Sequence, residues 1–186
     1  MTKNWVEDLV AEFYRLQGYF VATNLDLPMP KTEYRKVRGH SDIDVLAIKN
    51  NEVKHIECQS WWGPAKKNED KEFRRLKERF DVAQGVLLAR YDFLKNLFEK
   101  SPKTTRIFVT SGKPEKLPKN RDESPWYRLE KFCENEDIQL VEINTILEET
   151  IEKLRKKYPK PDIVGKEESS ITRLMIHLIH NDFFEV

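Results

Sequence analysis

The sequence predicts an α/β fold, and three observations carry that expectation. An apolar stripe at helical spacing opens the chain, a two-residue periodicity runs across Asp42–Gln59, and helix-like and strand-like segments alternate from Lys71 to Lys157. Val6, Leu9, Val10, Phe13 and Leu16 place the first helix over about residues 4–17, and Gly18 supplies the left-handed residue that ends it. Tyr19–Ala22 reads as a first strand. The next stretch, with Pro28 and Pro30, reads as a loop or irregular hairpin leading to Gly39. Asp42–Ile48 and Val53–Gln59 then form two strands joined at Asn50-Asn51.

Phe73, Leu76, Phe80 and Ala83 lie on one face of a helix over Lys71–Gln84, whose other face is charged and faces water. An apolar segment at Gly85–Ala89 and a helix-like piece at Asp92–Glu99 follow, then a strand at Arg106–Thr110 and a proline-rich loop at Lys113–Pro125. Trp126–Glu134 predicts a helix, Gln139–Ile143 a last strand and Thr145–Lys157 another helix. Prolines and a glycine break the pattern at Tyr158–Gly165. The stripe Ile171, Leu174, Met175, Leu178, Ile179 and Phe183 then marks an extra C-terminal helix. The expected division is an α/β domain over residues 1–158 and a linker with a helical appendage over 159–186.

Composition narrows the functional classes. The chain has 186 residues, 39% hydrophobic and 35% charged, which bounds it to one highly charged, core-forming domain. Its 33 basic and 32 acidic residues nearly cancel, so any attraction for nucleic acid must be local. Cys58 and Cys133 are too few for a disulfide framework, and residues 1–8 lack the apolar stretch of a signal peptide, so a cytoplasmic setting is expected. Apolar runs of about five residues are far short of the roughly 20 a membrane span needs.

Chemistry is concentrated in Gly39-His40-Ser41-Asp42-Ile43-Asp44-Val45 and Ile56-Glu57-Cys58-Gln59. Alternation puts Glu57 and Gln59 on one strand face, with Ile56 and Cys58 on the other. Asp44 on the neighbouring strand can converge with Glu57, and two anions held so close need a counter-charge. An all-oxygen site suits Mg²⁺ or Mn²⁺, which keep several waters; zinc would call for Cys and His. His55 shares the Glu57 face, and it or His40 could assist proton transfer.

An acidic residue on the first helix, the Gly39-x-x-Asp42-x-Asp44 strand and a Glu57-x-Gln59 strand thirteen residues on resemble the PD-(D/E)xK nuclease superfamily. The likeness covers roughly Trp5–Gln84 and is nearest in motif to the archaeal Holliday-junction resolvase and Mrr-like branches. It implies a restriction-endonuclease-like central mixed sheet flanked by helices. It also implies metal-dependent hydrolysis of phosphodiester bonds in DNA, with Asp44, Glu57 and the Cys58 carbonyl as metal ligands and Glu7 as the helical acid. Glu12, at the opposite edge of the helix, is the substitute for Glu7. Where the superfamily has lysine this chain has Gln59, which could orient a water but carries no charge.

Around this constellation, Lys31, Arg35, Lys36 and Arg38 before it and Lys66 and Lys67 after it are candidate phosphate contacts. Trp61 and Trp62 are candidate base-stacking residues, with core or rim packing the alternative for at least one of them. The expected partner is DNA, with RNA as a further substrate class, and the C-terminal helix offers a homodimer interface. The competing expectation keeps the fold without the reaction, giving a catalytically inactive nucleic-acid-binding or assembly module.

Overall fold

The computed structural model describes residues 5–29, 39–63, 66–90, 103–113, 124–160 and 169–181. These form a five-stranded mixed sheet between two layers of helix. The strands are β1 (Phe20–Met29), β2 (Gly39–Lys49), β3 (Glu52–Cys58), β4 (Lys103–Thr110) and β5 (Ile138–Glu142), in spatial order β1-β2-β3-β4-β5. β1, β2 and β3 pair antiparallel, whereas β3, β4 and β5 pair parallel. The helices are α1 (Trp5–Leu16), α2 (Lys66–Arg90), α3 (Pro125–Asn135), α4 (Ile143–Lys157) and α5 (Ser170–His180). None of the described helices is long and apolar enough to cross a membrane.

Local chemistry explains the punctuation. α1 ends as expected at Gly18, whose φ is +78°. The Gly18 amide donates to Arg15 O and the Tyr19 amide to Tyr14 O, the paired bonds of a Schellman cap. Asn50 takes a positive φ of 52° in the two-residue turn between β2 and β3, a conformation asparagine tolerates better than most residues. β1 is longer than expected, because Thr23–Met29 continues the pairing with β2. It is an edge strand, where a proline such as Pro28 is tolerated because one side of the strand needs no partner. α2 likewise exceeds the expected Lys71–Gln84. The helix-like piece expected at Asp92–Glu99 lies outside the described residues.

The pleat sends alternate side chains to opposite layers. On one face Val45, Ala47, Ile56, Cys58, Ile107 and Val109 pack against α1, α4 and α5 in a continuous apolar cluster. α5 enters this cluster through Met175, Ile176 and Ile179, and its N-terminal Ser169 donates to Glu12 on α1 at 3.2 Å. Of the apolar stripe expected to serve as a dimer interface, Met175 and Ile179 are buried against the chain's own helices, Leu174 is exposed, and Phe183 lies outside the described residues. On the other face Phe108 packs with Leu76, Phe80 and Leu129 of α2 and α3. Leu46 and Val53 pack with Ala83. The ion pair of Glu69 with Arg128, at 2.5 Å, fastens α3 to α2. It is at the β2–β3 end of this second face that the sheet buries its acids.

Candidate functional site

Asp44 and Glu57 converge because of strand register. Val45 pairs with Ile56 across the antiparallel β2–β3 ladder, so one step further Asp44 stands opposite Glu57, and opposed residues share a face. Both face α2 and both are buried, at 5% and 1% exposure. Each carboxylate is held by a partner of its own. The Cys58 amide donates to Asp44 Oδ2 at 2.6 Å, and His55 Nε2 lies 2.7 Å from Glu57 Oε1. His55 is itself buried, two residues before Glu57 on the same strand face, with its ring 4.7 Å from that of Phe80.

The counter-charge is Arg79 of α2. Its Nη2 lies 2.9 Å from Asp44 Oδ1, 2.5 Å from Glu57 Oε2, 3.2 Å from the Asp42 carbonyl and 3.9 Å from Asp42 Oδ1. The sequence reading expected a counter-charge but did not find this residue. The signal was present: Arg79 follows Leu76 by three residues and precedes Ala83 by four, so it lies on the stripe that faces the sheet. An arginine on a buried stripe is the exception to a solvated charged face. By contrast Arg74 and Arg75 are exposed.

Burial dominates the electrostatics. It pushes the Glu57 carboxyl up to about 8, against Arg79, with Asp42 and the α1 residue Glu7 adding to the rise. Asp44 is raised to about 6 by burial and by Glu57, while Arg79 and the Cys58 amide pull the other way. Burial and the Arg79 charge lower His55 to about 3, so its imidazole is neutral. Burial opposes the Arg79 cation, but Glu57 and Asp44 outweigh that cost and raise its pKa.

The remaining expected residues divide by position. Glu7 is half-buried in the first turn of α1, close enough for its charge to act on Glu57 and Cys58. Glu12 is spent on Ser169 and Arg15, so it does not substitute for Glu7. The Cys58 side chain lies in the apolar cluster of the opposite face, and burial pushes its thiol up. Gln59 is exposed just past the end of β3, and its side-chain amide donates to Trp61 O at 2.9 Å. It makes no described contact with Asp44 or Glu57.

Trp62 is a correction. At 3% exposure it stacks on Phe73 and meets Phe108 edge-on, so it is a core residue and no platform for bases. Trp61 remains exposed at 59%. Gly63 lies directly against its ring, where an added Cβ would collide, and at Gly112 an added Cβ would collide with the Trp62 carbonyl. Lys66 and Lys67 begin α2, but their side chains, like that of His40 and all of Lys31, Arg35, Lys36 and Arg38, lie outside the described residues.

The oxygens around Arg79 Nη2 come from two side-chain acids, with Asp42 at the rim. Among the described residues no group of three or more His, Cys, Asp or Glu side chains is placed to hold a metal ion, so these residues offer at most the two acids. Such a sparse, all-oxygen set fits an ion that keeps most of its waters, as Mg²⁺ does, and does not fit zinc.

No protein-family model matches the chain, and no curated protein matches it. Among solved structures, one described as the crystal structure of a protein of unknown function, AF1548, is similar to it. Sequence identity is 16%, the match covers 95% of this chain and 79% of that one, and the TM-score is 0.44.

Proposed function

We propose that this chain is a restriction-endonuclease-like, Mg²⁺- or Mn²⁺-dependent nuclease that hydrolyses phosphodiester bonds in DNA. The observation that carries this reading is the convergence of Asp44 Oδ1 and Glu57 Oε2 on a single cation, the Arg79 nitrogen, at 2.9 and 2.5 Å. Two buried carboxylates that share one cation-sized point are costly to keep for stability alone, and perturbed acids of this kind concentrate at functional sites. Both acids are also held in place: the Cys58 amide fixes Asp44, and His55 fixes the plane of Glu57.

Asp44 and Glu57 would hold the metal, with the Asp42 carbonyl beside them. A divalent ion bound there supplies Lewis-acid charge to a phosphodiester and a stronger nucleophile from water. Glu7 adds negative charge from α1, and the exposed Trp61 offers a ring on which an unpaired base can stack. Gln59, at the end of β3, can accept or donate a hydrogen bond to water but adds no charge.

Plasmid, single-stranded and branched DNA, with RNA alongside, incubated with Mg²⁺ or Mn²⁺ tests the assignment. Metal-dependent cleavage should fall by about 10²-fold or more in Asp44→Ala and Glu57→Ala proteins, since even a ligand's supporting partner is worth 10- to 100-fold. Cleavage undiminished in both variants would reject it.

The binding-module reading has two observations in its favour: Arg79 already places a cation between the two acids, and Gln59 is turned to Trp61 O. Salt-sensitive DNA binding with no Mn²⁺ uptake in calorimetry would favour that reading.

A further inference from the structure

We infer that Arg79 is an exchangeable resident cation, which occupies the metal position in the metal-free protein and must withdraw for a divalent ion to enter. The inference rests on the metal-site reading above and concerns how that site is controlled. Arginine's strong mode towards carboxylates is the two-pronged fork, in which two nitrogens meet two oxygens. Arg79 does not use it. Every contact described for its guanidinium runs through Nη2 alone, which four oxygens surround: Asp44 Oδ1, Glu57 Oε2, Asp42 O and Asp42 Oδ1, at 2.9, 2.5, 3.2 and 3.9 Å. One nitrogen amid oxygens is acting as a point charge, which is the role a hard cation plays with the same donors.

The arrangement also permits withdrawal. Arg79 Nε is buried with no hydrogen-bond partner among the described residues, and the described contacts of the guanidinium are all made by Nη2. The side chain is 32% exposed, against 1% and 7% for those of Glu57 and Asp44. The acids are thus fixed, and the cation reaches them from the solvent side of the site. Arg79 also supplies a positive charge beside the two acids while no metal is bound. Its occupancy lowers apparent metal affinity by the fraction of time the position is open, so a pair closed about 90% of the time weakens binding about tenfold.

Calorimetric titration with Mn²⁺, together with thermal melts, on wild-type, Arg79→Gln, Arg79→Lys and Asp44→Asn proteins tests this. Arg79→Gln should bind Mn²⁺ about tenfold or more tightly than wild type. It should also melt at a lower temperature without metal and gain more from its addition, because a ligand that binds the folded state stabilises it in proportion to its affinity. Arg79→Lys, which retains a point charge, should stay near wild type, and Asp44→Asn should abolish Mn²⁺ binding. Should metal-free Arg79→Gln be unfolded, Mn²⁺-driven recovery of its circular dichroism is the expected result, and no recovery overturns the inference. Equal or weaker Mn²⁺ binding by Arg79→Gln, with binding by wild type intact, makes Arg79 a structural ion pair and leaves the metal site standing. Absence of Mn²⁺ binding from wild type and Arg79→Gln alike would remove both the inference and the metal site.

Discussion

The two faces of the central sheet solve the same packing problem with different chemistry. Under α1, α4 and α5 the sheet presents Val45, Ala47, Ile56, Ile107 and Val109, and the helices answer with Val6, Leu9, Val10, Leu154 and Ile176. Under α2 the same strands, one residue out of phase, present Asp44, His55 and Glu57, and the helix answers with Arg79. Burying three ionisable groups and a guanidinium costs desolvation that aliphatic residues of similar size would avoid. The first face specifies the fold. The second gives up stability to keep chemistry in place, so substitutions on the two faces should fail in different ways.

The sharpest contrast pairs Glu57→Ala with Leu9→Ala. The first should lower metal-dependent cleavage by about 10²-fold or more, whereas the second, a cavity in the apolar face, should cost about 2–5 kcal/mol of stability. Activity per folded molecule, measured beside denaturant unfolding, separates them. If Leu9→Ala lost activity per folded molecule as severely as Glu57→Ala, the division between faces would be broken.

The next contrast is in pH. Glu57 is raised to about 8 in the folded chain from an ordinary value of 4.5, so the metal-free folded state holds a proton that the unfolded state has released in that window. Stability from this group is therefore present at lower pH and lost as pH rises through about 8, and Asp44, raised to about 6, contributes with the same sign over its narrower window. His55, lowered to about 3, acts oppositely, and its contribution is lost as pH falls from 6.5. Metal requires the ionised carboxylate, so apparent Mn²⁺ affinity should rise up to about tenfold per pH unit until Glu57 is ionised. Calorimetry from pH 6 to 9 on wild type and Glu57→Gln checks this; a flat profile in wild type would contradict the buried-acid account.

Smaller effects refine the picture. His55→Gln, which removes the support of Glu57, should weaken Mn²⁺ binding about 10- to 100-fold, with little change if the histidine merely fills space. On the apolar face Ser169→Ala should cost only about 1 kcal/mol, because it removes the cap that accepts from the Thr172 amide and the donor to Glu12. Urea unfolding of that variant, with cleavage unaltered, gives the smallest expected change of the set.

Much of this was legible in sequence because period two shows clearly where one strand face is apolar and the other carries ionisable residues. The hairpin about Asn50-Asn51, and the shared face of His55 and Glu57, follow from alternation alone. So did the departure of Cys58 to the other side. Arg79 was missed for the opposite reason: α2 is dense with charge, and one inward arginine among many outward ones is seen only by its phase relative to Leu76 and Ala83. The extension of β1 was hidden by Pro28, although the alternation of Asn24 and Asp26 with Leu25 and Leu27 was there to read. Which of the two tryptophans is buried was not legible, because adjacency says nothing of burial; the chain sends Trp62 to Phe73 and Phe108 and leaves Trp61 outside. The basic run from Lys31 to Arg38 lies outside the described residues, so its expected part in holding phosphate stands on sequence.

The most direct test is a crystal structure of the protein soaked in Mn²⁺, with the ion located by its anomalous scattering. The account predicts a peak between the carboxylates of Asp44 and Glu57, with the Arg79 guanidinium moved out of that position. Clear Mn²⁺ sites elsewhere, with Arg79 still bridging the two acids at saturating metal, would contradict it.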